Sequence, residues 1–347
     1  MQLALFAALV LLGGCVHTQP VSLASPEGRA EVDARAARRA ASRCGPAVTS
    51  GRPYAGPMLL RLLHKVHRDT TTALRRTRAR FAPDPLAASA HPAVRRIGVA
   101  LAATLRDDFS QDERAVIAGI EKRRKVLSRS DRHIYVVDYG AGPGAERRSR
   151  DEMEHGVSSM ATVAGVSRGS KPAFWAGVLF RLVRALGPAS CVELGSCVGI
   201  SAAYQAAALG FNGRGALVTL EGAPEVAAIA RATLGGLGGD AAGRATVVVG
   251  PFHQTLAGVL AGAAPVDFFF NDGHHDGDAV LLYVETALPY LAPGAVVVID
   301  DIDWSPGMRR AWTAIEADPR VAATVDLATV GIAVLGAGPR ETFRLPL

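Results

Sequence analysis

The sequence predicts an α/β domain: a mostly parallel sheet covered by helices, ended by an antiparallel hairpin and preceded by a helical N-terminal extension. Three observations predict it. From residue 190 onward, short β-branched runs alternate with Ala-rich helical stretches, the rhythm of parallel strands joined by helical crossovers. Near the end, the runs 321–327 and 330–335 follow one another with almost no connection. A parallel pair needs a crossover of a dozen or more residues, so these two form a tight hairpin. Finally, 347 residues exceed a typical single domain, which leaves room for the extension.

The elements follow in order. Residues 1–18 open with the apolar run MQLALFAALVLLGGC, shorter than a membrane span. Residues 19–57 are rich in Ala, Arg, Ser, Pro and Gly without apolar periodicity and read as a linker, disordered by composition. Residues 58–154 form a basic, mainly helical extension. Leu59, Leu60, Leu62, Leu63 and Val66 share one helical face, Pro83, Pro85 and Pro92 divide the region, and a second helix runs from about Asp112 to Leu127. Residues 134–138 (IYVVD) form a short strand. The main domain spans 155–347 and starts with an amphipathic helix at about 171–186, whose Phe174, Val178, Leu182 and Leu186 recur at spacing four. Strands are expected at 190–194, 216–221, 245–249, 266–271 and 295–300, with helices at 201–209, 223–234, 255–261 and 278–291.

Two segments compete for a glycine-rich cofactor turn: Asp138-Tyr-Gly-Ala-Gly-Pro-Gly144 and Glu193-Leu-Gly-Ser-Cys-Val-Gly199. The first has more glycines. Context favours the second, because a cofactor turn follows a buried strand, opens a helix, and is answered by a carboxylate ending the next strand. Glu193 is followed by the helix GISAAYQAAAL and the strand ALVTLE, which ends at Glu221, 28 residues on. Gly195 and Gly199 permit close backbone approach, with Ser196 between them and Gly222 just after the second strand. Glu221 suits the two hydroxyls of an adenosine ribose. Glu193, a carboxylate in the turn, would repel a pyrophosphate but suits the cationic amino group of S-adenosylmethionine (SAM). Phe252, just after the third strand, borders the adenine in this reading.

The ordered set CVELGSCVGISAAY, VTLEG, VDFFFNDGHH, LAPGAVVVIDDIDWS and the final hairpin resembles the class I SAM-dependent methyltransferases. It is most similar to the O-methyltransferase-like branch whose fourth strand ends in an Asp-Gly-x-His turn. The resemblance covers about residues 165–347, and VVDYGAG and LFRLV are similar to bacterial members of that branch. It implies a Rossmann-like seven-stranded sheet with the last strand reversed, SAM as cofactor, and a small-molecule methyl acceptor.

Three strand ends are densely polar: Glu193, then Asn271-Asp272-Gly273-His274-His275, then Asp300-Asp301-Ile302-Asp303-Trp304. Carboxylates gathered in this way repel one another unless a cation or proton intervenes. Methyl transfer needs a nucleophile placed in line and relieved of its proton. Two routes fit. In one, Asp272, Asp300 and Asp301 hold Mg2+ or another divalent cation that acidifies the acceptor hydroxyl. The resemblance implies this metal set, with Asp301 standing where the family carries Asn. In the other, His275 is the general base, and Asp272 serves the site through the cofactor or the loop. Loop polarity is the bland reading of His274 and His275, and packing that of Trp304 and Trp312.

Net charge is +6, divided unevenly: residues 1–150 hold 26 Lys and Arg against 13 Asp and Glu, and residues 151–347 hold 12 against 19. A non-catalytic SAM-fold module with a basic region that binds membrane or nucleic acid is therefore the alternative function. With 11 Phe, 6 Tyr and 3 Trp there is little aromatic surface for stacking bases, so nucleic acid is not the expected partner. A nucleotide-dependent oxidoreductase ranks last, because no GxGxxG follows the first strand. The four cysteines form no CxxC pair, which argues against a zinc site or disulfide framework. Leu12-Gly13-Gly14-Cys15 resembles a bacterial lipoprotein cleavage site, although no Lys or Arg precedes the apolar run. SAM is made in the cytoplasm, so a cytoplasmic catalytic domain is expected, with a membrane anchor through Cys15 as the alternative. Neither the methyl acceptor nor the oligomeric state is readable.

Overall fold

The structure is a computed structural model that describes residues 70–82, 84–142 and 148–347. The apolar segment 1–18 with Cys15, the linker 19–57 and the first apolar helical face at 59–66 lie outside the described residues. Among the described residues, no helix is long and apolar enough to cross a membrane.

Residues 70–81 are helical (α1). Helices α2 (Pro92–Leu105) and α3 (Gln111–Leu127) follow. A capping box starts α3: Ser110 Oγ accepts from Glu113 N at 3.2 Å, and Glu113 Oε2 accepts from Ser110 N at 3.0 Å. The same Glu113 receives Arg181 and Arg184 from the helix Ala173–Leu186, so one side chain both starts a helix and ties it to the main domain. The described residues accordingly belong to one compact unit. Strand β1 (His133–Asp138) pairs antiparallel with β2 (Val157–Thr162). Strand β2 is not among the expected strands, because the apolar residues of VSSMAT do not alternate. Between and after them lie the short helices α4 (Arg150–His155) and α5 (Val163–Ser167).

Helix α6 (Ala173–Leu186) buries a broad face and ends at Gly187, whose φ of 61° lets the chain turn away. The alternation then runs β3 (Ser190–Leu194), α7 (Ile200–Asn212), β4 (Ala216–Glu221), α8 (Pro224–Gly235), β5 (Ala245–Val249), α9 (Phe252–Ala263), β6 (Val266–Asn271), α10 (Gly277–Ala287) and β7 (Leu291–Ile299). After α11 (Pro306–Ala317) come β8 (Val321–Asp326), β9 (Gly331–Leu335) and β10 (Glu341–Arg344).

The main sheet has eight strands in the order β10-β8-β9-β7-β6-β3-β4-β5. All neighbours are parallel except β9, which runs antiparallel to both β7 and β8. The hairpin is as expected, and its second strand inserts between β7 and β8. The expected count of seven is corrected to eight, because Glu341–Arg344 adds an edge strand beside β8. Successive residues of β6 show how both faces are covered: Phe268 and Phe270 join one apolar cluster and Phe269 the other. That double burial is the mark of a parallel sheet between helical layers.

Candidate active site

A cavity of about 380 Å³ opens at the carboxyl ends of β3, β4, β5 and β6, where ligands bind in sheets of this kind. Gly195 and Cys197 come from the turn after β3, Glu221 and Gly222 from the end of β4, Pro251 and Phe252 from the turn after β5, and Asp272 to His275 from the turn after β6. The remaining wall is built by Val136–Gly140, Val166 and Gly169, all upstream of β3, and by Val226 on α8.

Glu221 is the carboxylate at the β4 end. Its Oε2 accepts from Cys197 N at 2.9 Å and its Oε1 from Ala223 N at 3.0 Å, which fixes the group and leaves further lone pairs toward the cavity. Burial raises its pKa to about 7 against these backbone donors. Glu193 differs from expectation. It is fully buried, Thr219 Oγ1 donates to its Oε2 at 2.6 Å, and Gln205 Nε2 donates to its Oε1 at 2.8 Å. It does not line the cavity. Its burial likewise lifts its pKa to about 7. The reason is strand alternation and depth: Glu193 lies within β3, below the lip, where Thr219 on β4 and Gln205 on α7 close over it. Ser196 is also interior, hydrogen-bonded to Thr219 Oγ1 at 2.6 Å.

The two turn glycines serve packing. Gly195 has φ 94°, and a Cβ there would stand 2.5 Å from the Asp272 carbonyl oxygen. Gly199 begins α7 with φ 84°, and a Cβ would stand 2.9 Å from Ala230 Cα. Of the residues expected to bind the cofactor, the structure therefore brings Gly195, Glu221, Gly222, Phe252 and Asp272 to the cavity. It holds Glu193, Ser196 and Gly199 beneath it.

The rejected glycine segment also belongs here. Asp138, Tyr139 and Gly140 line the cavity opposite Glu221, and Tyr139 covers Gly222 so closely that a Cβ there would stand 2.6 Å from its ring. Arg148 holds this wall, donating to the Asp138 and Gly140 carbonyls at 3.1 and 2.9 Å and pairing with the Asp138 carboxylate at 2.8 Å. Asp138–Gly140 form a wall of the cavity and not the turn after β3.

At the other end, the two histidines separate in role. His274 is buried, its Nδ1 bonded to Tyr283 Oη at 3.0 Å, and its ring meets Phe252 edge-on at a centroid distance of 5.7 Å. Burial lowers its pKa to about 4, so it stays neutral at ordinary pH. His275 is one-third exposed, with Nδ1 3.5 Å from Asp301 Oδ2 and its ring 5.7 Å from that of Trp304. His274, His275 and Asp301 all adopt positive φ, at 69°, 44° and 50°, an uncommon conformation for such residues. Trp304 is exposed on the lip, whereas Trp312 is wholly buried in the core.

The expected metal set does not converge. Lys171, a residue without a role in the sequence reading, places its Nζ 3.1 Å from Asp272 Oδ1 and in contact with Asp300 Oδ2. Asp300 is thereby engaged inward while Asp301 faces His275. The group whose ligand atoms do approach one another is Asp272, His275 and Asp301, all within 4.8 Å. Asp272 has a raised pKa, chiefly from burial and opposed by Lys171 and His275. A lone lysine at the start of an amphipathic helix reads as a surface residue; only the fold supplies its two partners.

Residues 192–302 match a family model described as a methyltransferase domain. That stretch runs from β3 through the turn after β7 and includes the strand ends that line the cavity. Three solved structures are similar. The O-methyltransferase TomG from Streptomyces achromogenes, in complex with SAM, is 25% identical, with 48% of this chain and 82% of that chain covered and a TM-score of 0.42. The O-methyltransferase from Bacillus cereus, in complex with SAH, is 23% identical, with 50% and 86% covered and a TM-score of 0.41. The SAH-bound methyltransferase PaMTH1 from Podospora anserina is 15% identical, with 84% and 100% covered and a TM-score of 0.47. No curated protein matches. The strand order and the matched domain define the class: a class I methyltransferase-like fold.

Proposed function

We propose that this chain is a SAM-dependent methyltransferase acting on a hydroxyl of a small molecule. One observation carries the reading: a single cavity has a fixed carboxylate, Glu221, at the end of β4 and an Asp272–His275 turn at the end of β6. When bound, SAM supplies an electrophilic methyl carbon on a sulfonium. The chain's own residues do the rest. Glu221 accepts from the ribose hydroxyls, Phe252 and Gly222 border the adenine, and Asp272, already paired with Lys171, borders the cofactor. His275 takes the proton of the acceptor hydroxyl, and Asp301, near its Nδ1, stabilises the resulting imidazolium. Trp304 offers a flat face to the acceptor. Because SAM is made in the cytoplasm, the catalytic domain belongs there in this reading.

Calorimetry on the full chain tests it. SAM should bind, and Glu221→Ala should weaken binding about 10- to 100-fold, the loss expected for charge-assisted hydrogen bonds. Folded wild-type protein that binds no SAM would sink the proposal. Transfer of labelled methyl from SAM to a panel of hydroxylated and amine compounds tests the O-specificity separately.

A further inference from the structure

We infer that Lys171 is the site's own cation: its ammonium occupies the position between Asp272 and Asp300 where the resemblance would put a divalent metal. On the methyltransferase reading, the chain's reaction then proceeds without one.

Three observations support this. First, the ammonium meets both strand-end carboxylates, and the side chains of Lys171, Asp272 and Asp300 are only 8%, 11% and 3% exposed. A divalent cation binds carboxylate oxygens at about 2.0–2.6 Å. Seated between these two oxygens it would take the space of Nζ, so that position is closed to a metal while Lys171 holds it. Second, Lys171 is held there. It precedes Pro172, which restricts it to extended backbone. Turn bonds from Gly169 N to the Val166 carbonyl and from Ser170 N to the Ser167 carbonyl, each 3.0 Å, fix the chain just before it. The Phe270 ring flanks the ammonium at 6.0 Å. Withdrawing the lysine would strand two buried carboxylates, a loss far larger than that of a surface ion pair.

Third, the alternative ligand group shares a member with this arrangement. Asp272, His275 and Asp301 could gather around an ion, but Asp272 already gives Oδ1 to Lys171. A second cation there would face the ammonium across one carboxylate. Lys171 also ties the segment from α5 to α6, which carries the cavity residues Val166 and Gly169, to the ends of β6 and β7, which makes it a positioning residue.

The test is a Mn2+ titration of full-length, chelator-treated protein followed by electron paramagnetic resonance, without SAM or acceptor. Wild type should show no Mn2+ site tighter than about millimolar, the weak end of carboxylate sites. Lys171→Met, which frees both carboxylates, should bind Mn2+ at least about tenfold more tightly. Micromolar Mn2+ binding by wild type that Asp300→Asn or Asp301→Asn abolishes would overturn the inference, as would a folded Lys171→Met protein that gains no binding. If Lys171→Met does not fold, the wild-type titration and its two aspartate variants decide alone. Failure of the methyltransferase reading would show instead as absent SAM binding in calorimetry, so the two outcomes are separable.

Discussion

His275 and Glu193 show how a residue's chemistry follows from its depth. His275 stands at the lip with Asp301 and Trp304 beside it, open to an acceptor. Its replacement by Asn, which keeps a polar side chain but cannot take a proton, should lower kcat about 10²–10⁴-fold. SAM affinity should change little, and a parallel loss of SAM binding would instead assign His275 to the cofactor. Glu193 lies in the interior, with a pKa raised from an ordinary 4.5 to about 7 by burial. The folded state therefore holds its proton where the unfolded state releases it. The stability this group contributes is complete below about pH 4.5 and is lost as pH rises through about 7. Urea unfolding of SAM-free protein at pH 5 and pH 8 should show wild type weaker at pH 8. Glu193→Gln should shrink that difference by about 1–3 kcal/mol, and an unchanged difference would mean that the carboxyl is not protonated in the fold.

Among the elements, the β1–β2 ribbon matters most for the site. Its sequence is half polar, and only Ile134 is fully buried along β1. It gains order from its partners: Tyr135 N donates to Glu225 on α8 at 3.2 Å, and Arg148 clamps the Asp138–Gly140 corner. Arg148→Ala removes both carbonyl bonds and the carboxylate pair. We expect SAM affinity to fall about 3- to 30-fold, in line with the loss of one or two partly buried charge-assisted bonds. Amide exchange at residues 138–141 should quicken while β3 stays protected, and equal quickening in both would point to general destabilisation. The ribbon also explains a limit of sequence reading. Glu193–Gly199 was separable from Asp138–Gly144 by its following helix and by Glu221, features near in sequence. That Asp138–Gly140 line the same cavity depends on a contact between β1 and α8, 90 residues apart.

Across the whole molecule, the sheet is closed on one side by β10, which pairs parallel with β8. Its Glu341 reaches back to the upstream region, accepting from Ala90 N at 2.9 Å and pairing with Ser89 Oγ. Leu347 is buried, with its N–H donating to the Leu327 carbonyl at 3.2 Å. Deletion of residues 339–347 removes these ties and leaves β8, whose Val321–Val325 are all buried, as an open edge. We expect a lower thermal midpoint and concentration-dependent association seen by light scattering, with residual SAM binding because the cavity lies at β3–β6. A deletion that leaves both midpoint and association unchanged would show that β10 is dispensable.

The sequence by itself determined the alternating architecture, the reversed hairpin, and the chain positions of the glycine turn after β3 and of Glu221 at the end of β4. These rest on hydrophobic period, turn chemistry and spacing, which act over a few tens of residues. It also gathered the right polar strand ends, because a parallel sheet brings all its carboxyl ends to one lip. Only the tertiary structure decided which of those groups face the cavity and which are neutralised beneath it. Glu193 turned inward to Thr219 and Gln205, His274 was taken up by Tyr283, and Asp300 was taken up by Lys171, a residue 129 positions away. Depth below the lip and the partners that burial demands are properties of packing, and no local pattern encodes them.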